Sequence, residues 1–246
     1  MTSEIPINGQ ALDFASPISG ARAEELVGEL ASIGPRQFLD IGCGWAELLL
    51  RALEVVPEAQ GIGVDVHEGD IARGRQAAED RGLAHRTELR VQEAGEVEDT
   101  ADALLCIGSS HALAPTPDEA LQRLRQLTVE GGRLIYGIDH WAHTPSRERL
   151  SRMWEGASVE DSVYLPDVVE AARAAGWRLL DLHEAAQDEW NHFECGLVRN
   201  QEEWLLEHPD HPEAAELRSR LDSARQSWLN GHYGHMGFAT LVLAAA

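Results

Sequence analysis

An apolar run, an aspartate and two glycines stand together in residues 38–50, FLDIGCGWAELLL. Glycine permits left-handed backbone conformations and lets a ligand approach the main chain closely. The N-terminus of a following helix adds N–H donors and a positive dipole end, which favour a carboxylate or a phosphate. Asp40, Gly42 and Gly44 therefore predict a nucleotide-like ligand at the end of a buried strand. The structural alternative is that Asp40 caps the helix and the glycines form a plain turn.

A second acid, Asp65, ends the strand-like stretch GIGVDV at 61–66. Ligands of open α/β sheets bind beyond the carboxyl ends of the strands. We therefore expect Asp65 near the glycine turn, where its carboxylate accepts hydrogen bonds from both hydroxyls of a ribose. The alternative is an ordinary acid at a strand end.

Two cofactor classes use a glycine turn of this kind. A dinucleotide requires G-x-G-x-x-G, but Glu47 occupies the third glycine position, where a carboxylate would crowd and repel a pyrophosphate. S-adenosylmethionine carries a carboxylate, an ammonium and a sulfonium, so it suits an acidic pocket better. Asp40 could face its positive end through a backbone or water contact. The sequence favours S-adenosylmethionine, with NAD as the alternative.

The composition narrows the classes of function. The chain has 42 acidic residues against 20 basic ones, a formal net charge of −22, and no lysine. The absence of lysine excludes Schiff-base chemistry and a P-loop. The negative charge disfavours nucleic acid as a partner, because binding it requires neutralising phosphates.

Cysteine usage and the chain's start indicate the compartment. Cys43, Cys106 and Cys195 are far apart and are expected to be free thiols of a reducing cytoplasm. The first ten residues lack the basic start and apolar core of a signal peptide. No stretch of about 18 apolar residues occurs, so no membrane span is expected. We expect a cytoplasmic protein with no membrane partner.

The elements that must position these residues alternate between strands and helices from residue 22 onward. This alternation predicts an α/β fold, with a parallel sheet covered by helices on both faces. The predicted strands are 36–41, 61–66, 87–92, 103–108, 132–138, 177–185 and 238–245. The predicted helices between them are 22–33, 45–56, 69–82, 117–128 and 166–175.

Three segments do not fit the alternation: 1–21, 139–165 and 186–236. The last is too long for a loop in a compact domain unless it has its own structure or function. Residues 202–231 predict two helices around a proline-containing turn. We interpret the three segments as a helical cap, inserted mainly before the last strand, on a single domain spanning 1–246.

Five stretches resemble the class I S-adenosylmethionine-dependent methyltransferases, over about residues 10–183. LDIGCG (39–44) resembles motif I and GVDV (63–66) the second acidic motif; the others are VQEAGE (91–96), DALLCIGSSHAL (102–113) and LTVEGGRLIYGIDHW (127–141). Trp45-Ala46 replaces the third small residue of motif I, and Val129-Glu130 stands where proline is usual. The family implies a Rossmann-like, mostly parallel sheet of seven strands with the last antiparallel.

The resemblance also implies further cofactor contacts. Glu93 and Ala94 stand where the family places an acid and a small residue against adenine. The structural alternative for Glu93 is that it belongs to a merely acid-rich segment. The remaining residues implied at the cofactor are Cys43, Val66, Cys106 and Ile107, of which the two cysteines are expected to pack and to offer only backbone groups.

The segments CIGSSHAL and GIDHW resemble a bacterial subgroup of small-molecule methyltransferases, as do Ser16–Ser19 and Asp188–Glu194. Methyl transfer is an in-line displacement at a sulfonium carbon, so the protein chiefly aligns the nucleophile and excludes water. An O-methyltransferase often adds a general base, most plausibly histidine. His111 and His140 follow the fourth and fifth strands and are the candidate bases, with pocket hydrogen bonding as the alternative role.

Aromatic walls with a few polar groups are typical of sites for small apolar ligands. The cap residues predicted to bind substrate are Trp141, Trp190, His192, Trp228, Tyr233 and His235. Trp204, at helical spacing among apolar residues, is expected in the core. Three His-x-x-His pairs occur, at 140/143, 208/211 and 232/235, but none shows the His-Glu-x-x-His pattern, so no metal is predicted.

The expected function is methyl transfer from S-adenosylmethionine to a small molecule, a secondary metabolite, at oxygen, with nitrogen or sulfur possible. One alternative is an enzyme on the same fold that uses the sulfonium only as a fixed charge in a cyclisation or rearrangement. The other is a cofactor-binding module without turnover. The sequence is compatible with a monomer or a homodimer.

Overall fold

The computed structural model describes residues 4–246. Residues 1–3, which belong to the predicted cap segment 1–21 and to the stretch expected to lack a signal peptide, lie outside the described residues. The chain divides into two compact units. The sheet unit comprises Ser19–Asp139, Tyr164–Glu184 and Phe238–Ala246. The helical unit comprises the described part of Met1–Ile18, with His140–Val163 and Ala185–Gly237.

Seven strands form one sheet in the order β3-β2-β1-β4-β5-β7-β6. They are β1 (Gln37–Ile41), β2 (Gln60–Asp65), β3 (Thr87–Val91), β4 (Ala101–Ile107), β5 (Thr128–Trp141), β6 (Trp177–Glu184) and β7 (Met236–Ala245). β1 pairs in parallel with β2 and β4, whereas β6 and β7 pair antiparallel. The predicted Rossmann-like α/β fold, mostly parallel with an antiparallel last strand, is confirmed.

Within residues 4–246, eight α-helices precede, connect or follow these strands. They are α1 (Gly20–Ala31), α2 (Glu47–Val55), α3 (Glu68–Asp80), α4 (Pro117–Leu127), α5 (Arg147–Leu150), α6 (Leu165–Ala174), α7 (Gln187–Glu207) and α8 (Ala214–Gln226). α4 shows how the sequence sets a boundary: Thr116 accepts the N–H of Glu119, and Pro117 occupies the first turn, where its missing N–H costs nothing.

The helical unit has an apolar cluster between α7 and α8. Trp204 is its largest member and is buried, which confirms its predicted core position; Leu205, Ala214, Leu217 and Leu221 complete it. His208 stacks on the Trp204 ring and His211 meets its edge, at centroid distances of 4.8 and 4.9 Å. These two histidines therefore pack against the core. After α8 the chain makes a π-helical turn, Ser227–His232.

β5 is longer than the predicted strand 132–138 at both ends. Its first residues are irregular: Gly131 has φ +73°, and the register against β4 shifts between Ala101 and Ala103. At the other end, the N–H of Trp141 donates to the carbonyl of Val163 at 2.7 Å. Pairing with residues distant in sequence therefore extends the strand beyond its apolar run.

No helix within residues 4–246 combines the length and the apolar character that crossing a bilayer requires.

Candidate active site

The glycine turn is hydrogen-bonded to the end of β2. The N–H groups of Gly42 and Cys43 both donate to the carbonyl of Val64, at 2.9 and 3.0 Å. Gly42 and Gly44 have φ of +67° and +53°, a region that L-residues avoid. A Cβ on Gly42 would also lie 2.2 Å from the Cβ of Ser109. Gly42 is therefore required both by its backbone conformation and by the close approach of the segment after β4.

Asp65 lies beside this turn, as expected from the sequence. Its Oδ2 accepts the N–H of Gly44 at 2.8 Å, and its Oδ1 accepts the N–H of His67 at 2.9 Å. The acid thus fixes the turn in addition to any contact with a ligand. A carboxylate has about four acceptor positions, so two protein donors leave room for ribose hydroxyls. That ribose contact stays a prediction.

Asp40 is buried in β1 beneath the turn. Burial, and then the neighbouring Asp65 carboxylate, raise the pKa of Asp40 to about 8. The alternative role as a helix cap is wrong, because α2 begins after Ala46 and has no side-chain cap. Asp40 is instead a buried acid that mostly keeps its proton at neutral pH, and a positive charge nearby would favour its ionised form.

Asp40→Asn is expected to remove part of the pH dependence of stability. The unfolded chain releases the Asp40 proton near the ordinary value of 3.8, whereas the folded protein holds it to about 8. Between these values the folded state binds the extra proton, so the free energy of unfolding falls as pH rises, by at most about 1.4 kcal/mol per pH unit. Urea denaturation at several pH values inside this window measures it. Parallel pH profiles for wild type and variant would contradict the assignment.

The electrostatic environment of the turn is negative. Burial raises the pKa of the Cys43 thiol far above its usual range, and the carboxylates of Asp40, Asp65 and Asp70 raise it further. Such a field repels a pyrophosphate and attracts an ammonium or a sulfonium. The charges of these residues therefore fit S-adenosylmethionine.

Glu47 does not act as the sequence led us to expect. Its carboxylate pairs with Arg51 at 2.7 Å and also with Arg81. Two guanidinium groups thus neutralise the charge that was expected to repel a pyrophosphate. The preference against NAD rests instead on the missing third glycine itself, since an acid after β2 suits the ribose of either cofactor.

Ala46, which takes the place of the third small residue of motif I, is strained. With φ 59° it is the one non-glycine residue of positive φ within residues 4–246. This conformation costs roughly 1–2 kcal/mol for an L-residue. It is held by full burial and by the hydrogen bond from its N–H to the carbonyl of Cys43 at 2.8 Å. Backbone strain of this kind is typical of functional turns.

Ser109 is a residue of this site that the sequence did not reveal. Its hydroxyl donates to the carbonyl of Ile41 at 2.5 Å and lies 3.5 Å from the Cys106 sulfur. Burial raises the pKa of the Cys106 thiol to about 12, so this cysteine packs as a neutral group. Ser109 ties β1 to the segment after β4. The sequence feature that could have indicated this role is a small hydroxyl residue directly after Gly108.

The residues implied at the adenosyl group follow neighbouring strands. Val66 follows β2 and is exposed, and Ala94 is buried in a short turn after β3. Glu93, just before that turn, is exposed. The N–H of Gln92 donates to the Asp65 carbonyl at 3.0 Å, which joins the two strand ends. Cys106 and Ile107 close β4. All lie in the sheet unit, as the predicted cofactor site requires.

The two candidate bases differ in environment. His111 is exposed in the short turn Ser110–Ala112, directly after β4 in the sheet unit. His140 is buried near the end of β5, in the part of the chain that belongs to the helical unit. A Cβ on Gly237 would lie 2.6 Å from its Nε2. Their roles as bases stay predictions.

Gly237→Ala is expected to destabilise the protein by about 1–3 kcal/mol, because the new methyl group would overlap the His140 imidazole. Thermal unfolding of this variant, compared with Gly69→Ala, measures it. Gly69 lies in α3 with no atom within 4 Å of an added Cβ, so that control should keep or raise stability. Equal melting temperatures would show that His140 moves aside freely.

The aromatic residues predicted to bind substrate have diverse environments in the helical unit. Trp141 is buried and donates its indole N–H to the carbonyl of Val159 at 2.8 Å, a structural contact. Trp190 is also buried. Trp228 is half-buried, and Tyr233 is exposed with its ring 6.1 Å from that of Trp228.

The remaining predicted substrate histidines, His192 and His235, differ in their surroundings. His192 is exposed on α7. His235 is half-buried, with Nδ1 3.3 Å from the carbonyl of His143 and the two rings edge to face. Across the described chain, 4–246, no group of three His, Cys, Asp or Glu side chains is placed to hold a metal ion.

The sequence also did not predict the contact between Glu194 and His232. Their side chains meet at 2.7 Å between Glu194 Oε1 and His232 Nε2. The spacing of His232 and His235 drew attention to a possible metal pair, but the partner of His232 comes from α7, a contact that local sequence does not reveal.

Comparisons with known proteins match the segment of the chain that holds this turn. Residues 39–134, which hold the glycine turn, Asp65 and Ser109, match the family model described as a methyltransferase domain. The resemblance to the class I enzymes is thereby confirmed. The chain is also similar to the uncharacterized protein YjhP of Escherichia coli, at 26% identity over 211 residues, 85% of this chain and 84% of that one.

Solved structures share the fold at lower identity. The YjhP crystal structure superposes with a TM-score of 0.82 at 23% identity, over 95% of both chains. A methyltransferase from Geobacter sulfurreducens, crystallised with S-adenosyl-L-homocysteine, gives 0.82 at 22% identity over 95% of this chain and 94% of that one. One from Thiobacillus denitrificans, with the same ligand, gives 0.82 at 21% identity over 96% and 95%.

Proposed function

We propose that this chain, a class I S-adenosylmethionine-dependent methyltransferase, transfers the methyl group to a small-molecule acceptor, preferentially at oxygen. The observation that carries the cofactor side is the turn Gly42–Gly44, held between Asp65 and Ser109 above the buried Asp40. The acceptor class comes from the aromatic and histidine side chains of the helical unit. We further propose a secondary metabolite as acceptor and a cytoplasmic location.

The cofactor supplies the methyl group and the leaving group of the displacement. The residues of the chain bind and orient it. Asp65 would accept hydrogen bonds from the ribose hydroxyls with the lone pairs that Gly44 and His67 leave open, and the Gly42–Gly44 backbone would permit close approach. Asp40 would ionise beside the positive charge of the cofactor and stabilise it. The turn that begins at Ala94 would hold the adenine.

The acceptor is bound by side chains of the helical unit, chiefly Trp190 and Trp228, which supply aromatic surface. Trp141, His192, Tyr233 and His235 complete the proposed substrate residues. Of the two candidate bases, His111 is exposed and open to an acceptor, whereas His140 is buried in β5. The described residues of Met1–Ile18, with 140–163 and 185–237, form the proposed acceptor-binding cap of a single functional domain.

Mass spectrometry tests the reaction type. The protein is incubated with S-adenosylmethionine and a panel of phenols, amines and thiols, and products are compared with reactions that lack the cofactor. A product heavier by one CH₂ group, formed together with S-adenosylhomocysteine, supports methyl transfer. A converted product of unchanged mass would instead support a cyclisation or rearrangement. Cofactor binding without any conversion would support a binding module.

A further inference from the structure

A cavity of about 410 Å³ lies between α7 and α8 in the helical unit. Residues of both helices form its wall, together with Trp228 of the π-helical turn that follows α8. Trp228 supplies an aromatic ring, and Val198, Leu221 and Ala224 supply aliphatic surface. The volume lies in the range of small-molecule sites and suits a ligand of one or two rings.

The wall of this cavity also carries two arginines and three acids. Arg199 bonds to Glu203 at 2.9 Å. Arg225 bonds to Glu202. An anionic ligand would therefore have to break an existing ion pair before it could reach a guanidinium group. The third acid of the wall, Glu194, has no arginine partner among residues 4–246, so the unbalanced charge of the wall is negative.

The histidine that contacts Glu194 does not supply a balancing positive charge. Glu194 Oε1 lies 2.7 Å from Nε2 of His232, and Nδ1 of His232 is buried with no hydrogen-bond partner among residues 4–246. A protonated imidazole would bury a second N–H without an acceptor, which is costly, so the ring is neutral and donates from Nε2. This hydrogen bond uses Oε1 of Glu194 and leaves Oε2 for a ligand in the cavity.

We propose that the α7–α8 cavity binds an organic cation, an amine that carries an aromatic ring. Its ammonium group donates to Glu194 Oε2, and its ring packs against Trp228 and the aliphatic side chains of the wall. A charge-assisted hydrogen bond of this kind is stronger than a neutral one. A protonated amine has no lone pair, so this group anchors the ligand and is not itself a nucleophile. Only the identification of the ligand as the methyl acceptor rests on the proposed function, because binding requires no cofactor.

NMR of the full chain with three matched probes tests the preference for a cation. Phenethylamine, 2-phenylethanol and phenylacetate are added at millimolar concentration and neutral pH, where they are cationic, neutral and anionic. The indole N–H resonance of Trp228 is followed in ¹⁵N-labelled protein, and Trp228→Phe identifies it among the seven tryptophans. Phenethylamine should shift it saturably, the alcohol should bind about 10-fold more weakly, and phenylacetate should give no saturable shift.

Cys195 reports independently whether the ligand occupies this cavity. It belongs to the wall and is exposed, whereas Cys43 is partly buried and Cys106 is buried. Iodoacetamide should therefore alkylate Cys195 faster than the other two thiols, and mass spectrometry of the digested protein measures the rate. Phenethylamine should slow this alkylation in proportion to its occupancy of the cavity, and phenylacetate at the same concentration should not.

Two variants separate the charge of Glu194 from the negative charge of the whole chain. Glu194→Gln still accepts from Nε2 of His232 but removes the charge. It should lower the affinity for phenethylamine about 10-fold, to that of the alcohol, and leave alcohol binding unchanged, which also shows that the cavity is intact. Glu216→Gln removes an exposed acid of α8 that does not belong to the wall, and it should match wild type.

Three results would overturn the inference. The first is that phenethylamine and 2-phenylethanol bind the wild-type protein equally, or that neither binds. The second is that Glu194→Gln keeps the preference for the amine. The third is that phenethylamine binds without slowing the alkylation of Cys195, which would place it elsewhere. Failure of the proposed function is recognised separately, since calorimetry with S-adenosylhomocysteine reports on the cofactor site of the sheet unit without any of these probes.

Discussion

Gly42→Ala is expected to abolish measurable binding of S-adenosylhomocysteine and to destabilise the protein by about 2–4 kcal/mol. The added Cβ would lie 2.2 Å from the Cβ and 2.6 Å from the hydroxyl of Ser109, and φ is +67° at this position. Ser109 is held in turn by its hydrogen bond to the Ile41 carbonyl. Neither residue 42 nor Ser109 can move aside without displacing the turn. Calorimetric titration and urea denaturation measure the two effects.

A second variant separates the clash from the backbone strain. Ser109→Gly in the Gly42→Ala background removes the atoms that overlap, so it should recover part of the stability but not the share due to the positive φ. Gly69→Ala is the control for a glycine with open space around it. If Gly42→Ala binds the cofactor as wild type does, the turn does not form the site.

Asp65→Ala should weaken S-adenosylhomocysteine binding by about 100-fold or more, because hydrogen bonds from two ribose hydroxyls to a charged acceptor are lost. The variant also leaves the N–H groups of Gly44 and His67 without their acceptor. Asp65→Asn tests how much of the affinity depends on the negative charge. Its amide oxygen replaces only part of the carboxylate's acceptor capacity. The affinity should fall in the order wild type, Asn, Ala.

Asp80→Ala is the matched control for Asp65→Ala. Asp80 is an exposed acid at the end of α3 in the same unit, and its substitution should leave the affinity unchanged. Circular dichroism of each variant establishes that the fold is retained. If Asp65→Ala binds S-adenosylhomocysteine within a factor of two of the affinity of Asp80→Ala, Asp65 does not bind the ribose.

Features set by local sequence were predictable. The strands around Asp40 and Asp65 are apolar runs closed by an acid, and the glycines of the turn mark positive φ, so strand, turn and acid were placed from spacing alone. The start of α4 was predictable in the same way, because Thr116 caps the helix and Pro117 occupies its first turn. The antiparallel last strand required the family resemblance, and the order of the strands was not predicted, because the sequence of one strand does not show which strand lies beside it.

Features that depend on distant pairing were missed. β5 extends to Trp141 because Val163 accepts its N–H, and Glu47 is neutralised by Arg81, a residue after α3. The Glu194–His232 contact joins helical segments far apart in sequence. Each arises from where the fold brings two chain segments together. A single sequence does not show such contacts, so it did not reveal that the charge of Glu47 is paired or that Glu194 contacts His232.

The central claim is that the Gly42–Gly44 turn and Asp65 together hold an adenosyl group that carries no pyrophosphate. Isothermal titration of the wild-type protein with S-adenosylhomocysteine, and separately with NAD, tests it most directly. We predict saturable heat at one site per chain for S-adenosylhomocysteine and none for NAD. Absence of heat with S-adenosylhomocysteine, or tighter binding of NAD, would contradict the account.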